Sequence, residues 1–298
     1  MELIVQPDAG TKPIIAAIEK AQKTVDMLIF RFDLKEVEKA AEAAVGRGVA
    51  VRALIAHVNS GGEKRLRQLE LRMLEKGVTV SRTADELVRY HGKMMVIDRE
   101  ELHVYGFNYT AIDVRSRSFG IVTKDRKVVN EALRLFEADS LRQEYDPCLD
   151  EFVVSPENAR EQLATFIKRA KKSLAIYDPK VSDPQMLRLL HQRSKAGVDV
   201  RVIGKVGKRG GDMRVQKMPG NRLHVRAIIR DGDTAFMGSQ SLRALELDAR
   251  REVGLVVRDP KVIKGMVEVF EQDWAKTDLG QKEIKAHEKA ADAELIAS

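Results

Sequence analysis

The chain has 298 residues, 33% of them charged, and a formal net charge of +7 at pH 7. This length predicts two domains or one large one, with about three quarters of the unfolded surface buried. The single cysteine, Cys148, excludes a disulfide scaffold and zinc or redox sites of the CxxC type. No apolar run reaches the roughly 18 residues of a membrane-spanning helix. We therefore expect a cytoplasmic protein, which leaves peripheral contact with an anionic membrane open.

The positive charge lies in the second half of the chain. Residues 1–150 hold 24 basic and 24 acidic side chains, whereas residues 151–298 hold 28 basic and 21 acidic ones. Residues 201–250 alone contain 11 basic and 5 acidic side chains. A local excess of this kind indicates a polyanionic partner. A solvated surface of mixed charge is the alternative explanation.

The first half alternates predicted helices and strands. Apolar residues at positions 14, 15, 18 and 21 have helical spacing, and the run VDMLIFRF that follows has the length of a strand. The helix EVEKAAEAAVGRG, the strand VAVRALIA and the amphipathic helix GEKRLRQLELRMLEKG come next, before two paired strands, KMMVID and LHVYGF. This alternation predicts the α/β class, with helices covering a mixed sheet.

The second half repeats the first. The segment at 46–55, GRGVAVRALI, matches KAGVDVRVIG at 195–204, and RSFGIVTKD at 117–125 matches REVGLVVRD at 251–259. Self-similarity of this kind indicates two copies of one unit. Turn residues around 146–158 separate the copies. We therefore predict repeats over 1–148 and 149–275, followed by a helical tail over 276–298.

The same eight-residue frame occurs once in each repeat. His91, Lys93 and Asp98 form H-x-K-x-x-x-x-D, and the second copy, with arginine in place of lysine, consists of His224, Arg226 and Asp231. On a strand, residues two apart face the same way, so each imidazole lies beside a cation. An imidazole can attack phosphorus while a cation holds the phosphoryl oxygens. We predict these six residues to be catalytic.

Two histidines predict a two-step mechanism. One imidazole must be neutral to attack, while the other must be protonated to release the leaving alcohol. Both states are available near neutrality because the unperturbed pKa of histidine is about 6.5. The sequence shows no cluster of metal ligands, so we expect a reaction without metal or cofactor.

These motifs resemble the phospholipase D superfamily, whose signature is a paired H-x-K-x4-D followed by G-S-x-N. The resemblance spans residues 5–275 and implies two α/β units packed face to face, with one active site at their interface. It implies His91 as nucleophile, His224 as general acid, and Lys93 and Arg226 on the phosphate. Asn108 and Ser239 follow the two frames and are implied to lie near the substrate.

The two motifs depart from the family pattern in different places. Gly106 stands where the family has serine, and Ser241 stands in the asparagine position of the second motif. Glu252 occupies the position of a carboxylate that orients a histidine in many members, and we include it with the substrate-binding residues. The first repeat has Ser118 at that position. The resemblance therefore implies one asymmetric site that pools groups from both repeats.

A basic, glycine-rich segment precedes His224. Residues 204–222 hold six basic side chains, one acidic side chain and five glycines. Lys205, Lys208 and Arg209 are predicted to bind phosphates of a lipid headgroup or a nucleic acid. An ordinary exposed loop is the alternative.

The predicted function is that of a metal-independent phosphodiesterase or phosphatidyltransferase acting on phospholipid, with cardiolipin-synthase-like transfer included. The basic second half keeps a nuclease of the same superfamily open. A module that binds phosphate without chemistry is the third alternative. The sequence leaves the oligomeric state open.

Overall fold

The computed structural model describes residues 1–59, 63–207 and 213–297. Strands and helices alternate along the chain and end in a long helix. The strands are β1 Glu2–Gln6, β2 Thr24–Ile29, β3 Ala50–Ile55, β4 Thr79–Arg82, β5 Arg89–Tyr90, β6 Met94–Ile97, β7 Glu101–Tyr105, β8 Ser118–Thr123, β9 Phe152–Ser155, β10 Ser173–Val181, β11 Asp199–Val206, β12 Arg214–Gln216, β13 Arg226–Arg230, β14 Thr234–Gly238 and β15 Arg250–Val257. The helices are α1 Lys12–Lys20, α2 Lys35–Gly46, α3 Glu63–Glu75, α4 Ala111–Val114, α5 Arg126–Leu141, α6 Ala159–Lys168, α7 Pro184–Lys195, α8 Ala244–Asp248, α9 Pro260–Ala275 and α10 Asp278–Ala297.

The two repeats build sheets of the same topology. The first sheet has the order β1-β8-β7-β6-β2-β3-β4, with β2, β3 and β4 parallel and the other pairs antiparallel. In the second sheet β10, β11 and β12 are parallel, and β10, β13, β14 and β15 are antiparallel neighbours. Strand β9 pairs with β15 as β1 pairs with β8. The predicted α/β class with two tandem repeats is confirmed.

One short strand crosses between the repeats. β5 lies in the first repeat by sequence, yet it pairs with β15 at the edge of the second sheet. It lies directly before His91, whose backbone N–H donates a 2.6 Å hydrogen bond to the carbonyl of Arg251. In the other direction, the N–H of His224 donates to the carbonyl of Arg117 at 3.0 Å. Each histidine is therefore fixed by the backbone of the opposite repeat.

Three apolar cores hold these layers together. The central core joins the inner faces of both sheets with the buried sides of α5 and α9, and includes Phe119, Phe136, Tyr177 and Phe270. One outer core lies under α1 to α3 and the other under α6 and α7. Burying apolar surface on both faces of each sheet stabilises the face-to-face arrangement.

Candidate active site

His91 is the more firmly oriented of the two motif histidines. It is buried, and its Nδ1 lies 2.7 Å from Glu252 Oε2, a carboxylate from the opposite repeat. The Phe30 ring packs against the imidazole edge-to-face, with 4.5 Å between ring centroids. When Nδ1–H donates to the carboxylate, the lone pair of a neutral ring lies on Nε2. Glu252 therefore fixes both the orientation and the tautomer of His91.

The Lys93 ammonium lies directly against His91. Its Nζ is 2.8 Å from Nδ1 and 2.9 Å from Nε2 of the imidazole, and it donates a 2.5 Å hydrogen bond to the His91 carbonyl. Complete burial lowers the pKa of Lys93 to about 7, although Glu252 opposes the shift. Burial, together with the charges of Lys93 and Arg226, also lowers the pKa of His91 well below its usual value. The imidazole is therefore neutral at pH 7, as a nucleophile requires.

His224 has a looser carboxylate contact. Its Nε2 lies 3.6 Å from Asp113 Oδ2, beyond an ordinary hydrogen bond, and its Nδ1 has no hydrogen-bond partner among the described residues. Burial and the charge of Arg226 lower the pKa of His224 well below its usual value, while Asp113 opposes this. A bound anion would favour the protonated imidazole, because it offsets those positive charges.

Arg226 occupies the position in the second motif that Lys93 has in the first. Its Nη1 donates a 2.8 Å hydrogen bond to the carbonyl of His224, as Lys93 does to the carbonyl of His91. Its Nε contacts the Ser241 hydroxyl at 3.4 Å. The positive charge of Arg226 acts on both histidines and on Lys93. The structure thus brings four predicted residues close enough for their charges to interact at the interface between the repeats: His91, Lys93, His224 and Arg226.

The sequence reasoning missed two buried carboxylates beside the site. Asp113 on α4 accepts hydrogen bonds from the backbone and the side-chain amide of Asn108. Glu246 on α8 accepts one from the backbone N–H of Ser241 at 2.7 Å. Burial would raise the pKa of Asp113, but His224, Asn108 and Arg222 outweigh it and lower the pKa to about 2. The sequence does distinguish these two carboxylates, because each lies five residues after an aligned motif position, Asn108 or Ser241.

Asn108 lies in the site, whereas Ser239 and Glu252 form a supporting layer behind His91. Asn108 Oδ1 is buried and has no hydrogen-bond partner among the described residues. The Ser239 hydroxyl accepts a 3.1 Å hydrogen bond from the backbone N–H of Val253. Burial raises the pKa of Glu252, while Lys93 and the Ser239 hydroxyl oppose the shift. The contact that the structure gives Glu252 is His91 itself, and substrate binding by Glu252 stays a prediction.

In the first repeat, Gly106 and Ser118 occupy the positions that Ser239 and Glu252 have in the second. A Cβ atom on Gly106 would lie 3.0 Å from Ser118 Oγ and 3.1 Å from the Phe119 carbonyl oxygen. Ser118 is fully buried, and its hydroxyl has no hydrogen-bond partner in the described part of the chain. The first repeat therefore lacks both the hydroxyl of Ser239 and the carboxylate of Glu252.

The two motif aspartates bind backbone N–H groups at the start of the central strands. The carboxylate of Asp98 accepts hydrogen bonds from the backbone N–H groups of residues 22, 23 and 24. Asp231 does the same for residues 171, 172 and 173. Both aspartates have left-handed backbones, with φ values of 53° and 55°. Each carboxylate holds the turn before a central strand, and a catalytic role for the two aspartates stays a prediction.

Of the basic segment 204–222, the structure places Arg222 beside the site, where its Nη1 donates a 2.7 Å hydrogen bond to Asp113. Lys205 is exposed on β11 and makes no hydrogen bond or ion pair with a described site residue. Lys208 and Arg209 lie outside the described residues. Phosphate binding by these three residues stays a prediction.

Two ion pairs connect the repeats directly behind the histidines. Arg251 pairs with Asp139 on α5, at 3.1 Å, and Arg117 pairs with Asp273 on α9, at 2.8 Å. All four side chains are buried. Since the carbonyls of these two arginines accept the hydrogen bonds from the histidine N–H groups, the ion pairs fix the backbone that carries the site.

The described residues show neither a membrane span nor a metal-ligand cluster. No described helix is both long and apolar enough to cross a bilayer. No group of three or more histidine, cysteine, aspartate or glutamate side chains within residues 1–59, 63–207 and 213–297 is arranged to hold a metal ion.

Comparison with protein families gives a match to both repeats. Residues 14–140 and 163–274 match the family described as "Cardiolipin synthase, PLD-like domain". The chain belongs to the phospholipase D-like family. A relative from Rickettsia prowazekii, named "Phospholipase D", is 30% identical over 132 residues, or 43% of this chain and 62% of the relative. The chain therefore matches less than two thirds of the length of that relative.

Solved structures share the phospholipase D-like fold of this chain. A polyphosphate kinase from Porphyromonas gingivalis superposes with a TM-score of 0.74 at 18% identity, over 91% of this chain and 49% of that one. A phosphatidylserine synthase from Haemophilus influenzae superposes with a TM-score of 0.69 at 13% identity, over 99% and 94% of the two chains. At these identities the likeness shows the fold alone.

Proposed function

We propose that the protein is a metal-independent phosphodiesterase or phosphatidyltransferase that acts on phospholipid through a phosphohistidine on His91. The observation that carries this proposal is the asymmetric pair of buried histidines with Lys93 and Arg226 beside them. The membership of the phospholipase D-like family and the relative named "Phospholipase D" support it.

In the first step, Nε2 of neutral His91 attacks the phosphorus of the phosphodiester. The phosphorus–oxygen bond to the leaving alcohol breaks as the phosphorus–nitrogen bond forms. His224, protonated when the anionic substrate is bound, gives its proton to the leaving oxygen. Lys93 and Arg226 bind the phosphoryl oxygens as negative charge develops on them. Glu252 stabilises the positive charge that His91 acquires.

In the second step, water or another alcohol attacks the phosphohistidine. Neutral His224 removes the proton from the attacking oxygen as the phosphorus–nitrogen bond breaks, which leaves His224 protonated as it was at the start of the first step. Hydrolysis and transfer differ only in the acceptor. Transfer therefore requires that the acceptor alcohol compete with water for the same position.

The test is turnover in EDTA by the wild type and His91→Asn, on phospholipid vesicles and on a DNA oligonucleotide. The proposal expects wild-type turnover of the lipid and its loss in the variant. Lipid turnover that EDTA abolishes would contradict the two-histidine mechanism. DNA cleavage without lipid turnover would instead support the nuclease, and no turnover of either would support a phosphate-binding module.

A further inference from the structure

The two short helices beside the site each expose an aliphatic side chain at the same repeat position. Ile112 on α4 is 58% exposed and Leu245 on α8 is 37% exposed. The two residues are equivalent, because each directly precedes the buried carboxylate, Asp113 or Glu246, that contacts the site. A single exposed aliphatic residue is ordinary on a protein surface, but a repeated pair that flanks a site needs an explanation.

A third exposed aliphatic side chain lies next to α8. Val88 is 53% exposed, and its N–H donates a 3.0 Å hydrogen bond to the carbonyl of Ala249, directly after α8. Val88 lies three residues before His91. Exposed aliphatic side chains therefore lie on α4, on α8 and on the chain just before His91.

Arginines lie among these aliphatic side chains. Arg115 follows α4, Arg89 follows Val88, and Arg243 directly precedes α8. Arg89 and Arg115 make no ion pair with any residue in the described ranges, and Arg243 is bound to Glu246 at 3.1 Å. Arg115 is exposed, whereas Arg89 and Arg243 are half-buried. Cations next to exposed aliphatic groups complement an anionic membrane surface, which offers charged headgroups above apolar acyl chains.

We propose that Val88, Arg89, Ile112, Arg115, Arg243 and Leu245 form a docking surface for an anionic phospholipid bilayer. This inference rests on the proposed function and extends it to a bilayer as the source of the substrate. The aliphatic side chains insert between headgroups while the arginines bind lipid phosphates. The side of the molecule that carries α4 and α8 then faces the membrane, and a headgroup reaches His91 without leaving the interface.

Nucleic acid fits this surface less well. A sugar-phosphate backbone offers anions to the arginines but gives Ile112, Leu245 and Val88 no apolar layer in which to insert. Among the described residues no aromatic ring belongs to the docking surface, so it has no platform for stacked bases. The aliphatic side chains thus favour lipid over nucleic acid.

The test is co-sedimentation of the full chain with vesicles of phosphatidylcholine alone or with phosphatidylglycerol. The variant is Ile112→Ser/Leu245→Ser, and the matched control is Leu71→Ser/Leu74→Ser on the outer helix α3, where the side chains are 60% and 53% exposed. Turnover of the soluble diester bis(4-nitrophenyl) phosphate is measured for each protein. We expect the docking variant to lose about tenfold in partition onto anionic vesicles, with the control and soluble turnover unchanged.

Three results would overturn the docking surface. Equal vesicle binding by the docking variant and the wild type would reject it, while soluble turnover that requires His91 would leave the proposed function standing. Wild-type binding to a DNA oligonucleotide without binding to anionic vesicles would reject both the surface and a lipid substrate. Equal losses in the docking variant and the control would show general apolar adhesion, and would also reject the surface.

Discussion

The surroundings of His91 and His224 differ although the fold places the two side chains equivalently. His91 has a carboxylate 2.7 Å from its Nδ1, whereas the closest carboxylate oxygen recorded for His224 lies 3.6 Å from its Nε2. At the repeat position of Glu252, the first repeat carries Ser118. The duplicated fold therefore fixes where the imidazoles lie, and the neighbouring side chains give them different surroundings.

The backbone framework, by contrast, is the same in both repeats. Asp98 and Asp231 each accept hydrogen bonds from three successive backbone N–H groups. Arg117 and Arg251 each pair with a buried aspartate of the opposite repeat. The groups that hold the backbone are therefore the same in the two repeats, whereas the groups around the two imidazoles differ. Substitutions of the groups that hold the backbone should therefore have different effects from substitutions of the groups around the imidazoles.

The largest expected effect follows from removing the carboxylate behind His91. Glu252→Gln keeps the shape of the side chain but weakens the hydrogen bond that fixes the His91 tautomer and stabilises its positive charge. We expect kcat on bis(4-nitrophenyl) phosphate to fall by about 10³-fold, with a smaller change in KM. Steady-state kinetics check this. A loss under about tenfold would show that Glu252 does not orient the nucleophile.

The next effect is on stability and comes from the symmetric framework. Arg251→Met leaves Asp139 buried without its cation, and we expect the free energy of unfolding to fall by about 3 kcal/mol. Arg117→Met should cost a similar amount because it leaves Asp273 in the same situation. Urea unfolding measures both. The control is Arg258→Met, whose exposed pair with Glu151 should contribute under about 1 kcal/mol, and equal losses in all three variants would contradict the assignment.

A smaller effect concerns pH. The folded chain holds both motif histidines at pKa values well below that of an unfolded histidine, about 6.5, because they are buried beside cations. Between the folded and the unfolded pKa of each histidine, the unfolded state binds more protons, so the free energy of unfolding falls as the pH is lowered from 6.5. Each histidine contributes at most about 1.4 kcal/mol per pH unit to this fall. His91→Gln should reduce this slope.

Unfolding free energies at pH 7.5, 6.0 and 5.0 test that expectation. His287→Gln, at an exposed position on α10, serves as the control and should leave the slope unchanged. A slope in His91→Gln equal to that of the wild type would show that burial does not depress the pKa of His91.

The smallest effect is expected at the counterpart of Glu252. Ser118→Ala removes a buried hydroxyl that has no hydrogen-bond partner among the described residues, and we expect kcat to change by less than about threefold. Comparing the kcat of Ser118→Ala with that of Glu252→Gln shows directly whether the two repeats differ in function. A loss as large as that of Glu252→Gln would show that Ser118 orients His224 and that the site is functionally symmetric.

Much of this arrangement is predictable from local patterns in the sequence. The repeat and the alternation of helices and strands gave the sheets, and the spacing of His91 and Lys93 placed the imidazole beside the ammonium. The places of Asp98 and Asp231 could not be predicted from this spacing, because each lies just past its strand and has a left-handed backbone.

The contacts between the repeats could not be predicted in this way. β5 leaves its own repeat to join the second sheet, and no local periodicity specifies a partner strand so far along the chain. The pairing of His91 with Glu252 spans 161 residues, so it depends on how the two sheets pack. Asp113 and Glu246 form an intermediate case, because only their equivalent positions in the two repeats distinguish them from other acidic residues.

The most direct test of the asymmetric site is to locate the covalent intermediate. His224→Asn, mixed with bis(4-nitrophenyl) phosphate, still has the nucleophile and a leaving group that departs without an acid, but it lacks the base that activates water. Peptide mass spectrometry should find the 4-nitrophenyl phosphoryl group on His91, and find none in His91→Asn. An adduct on His224 of the His91→Asn variant, with His91 unmodified in His224→Asn, would contradict the account.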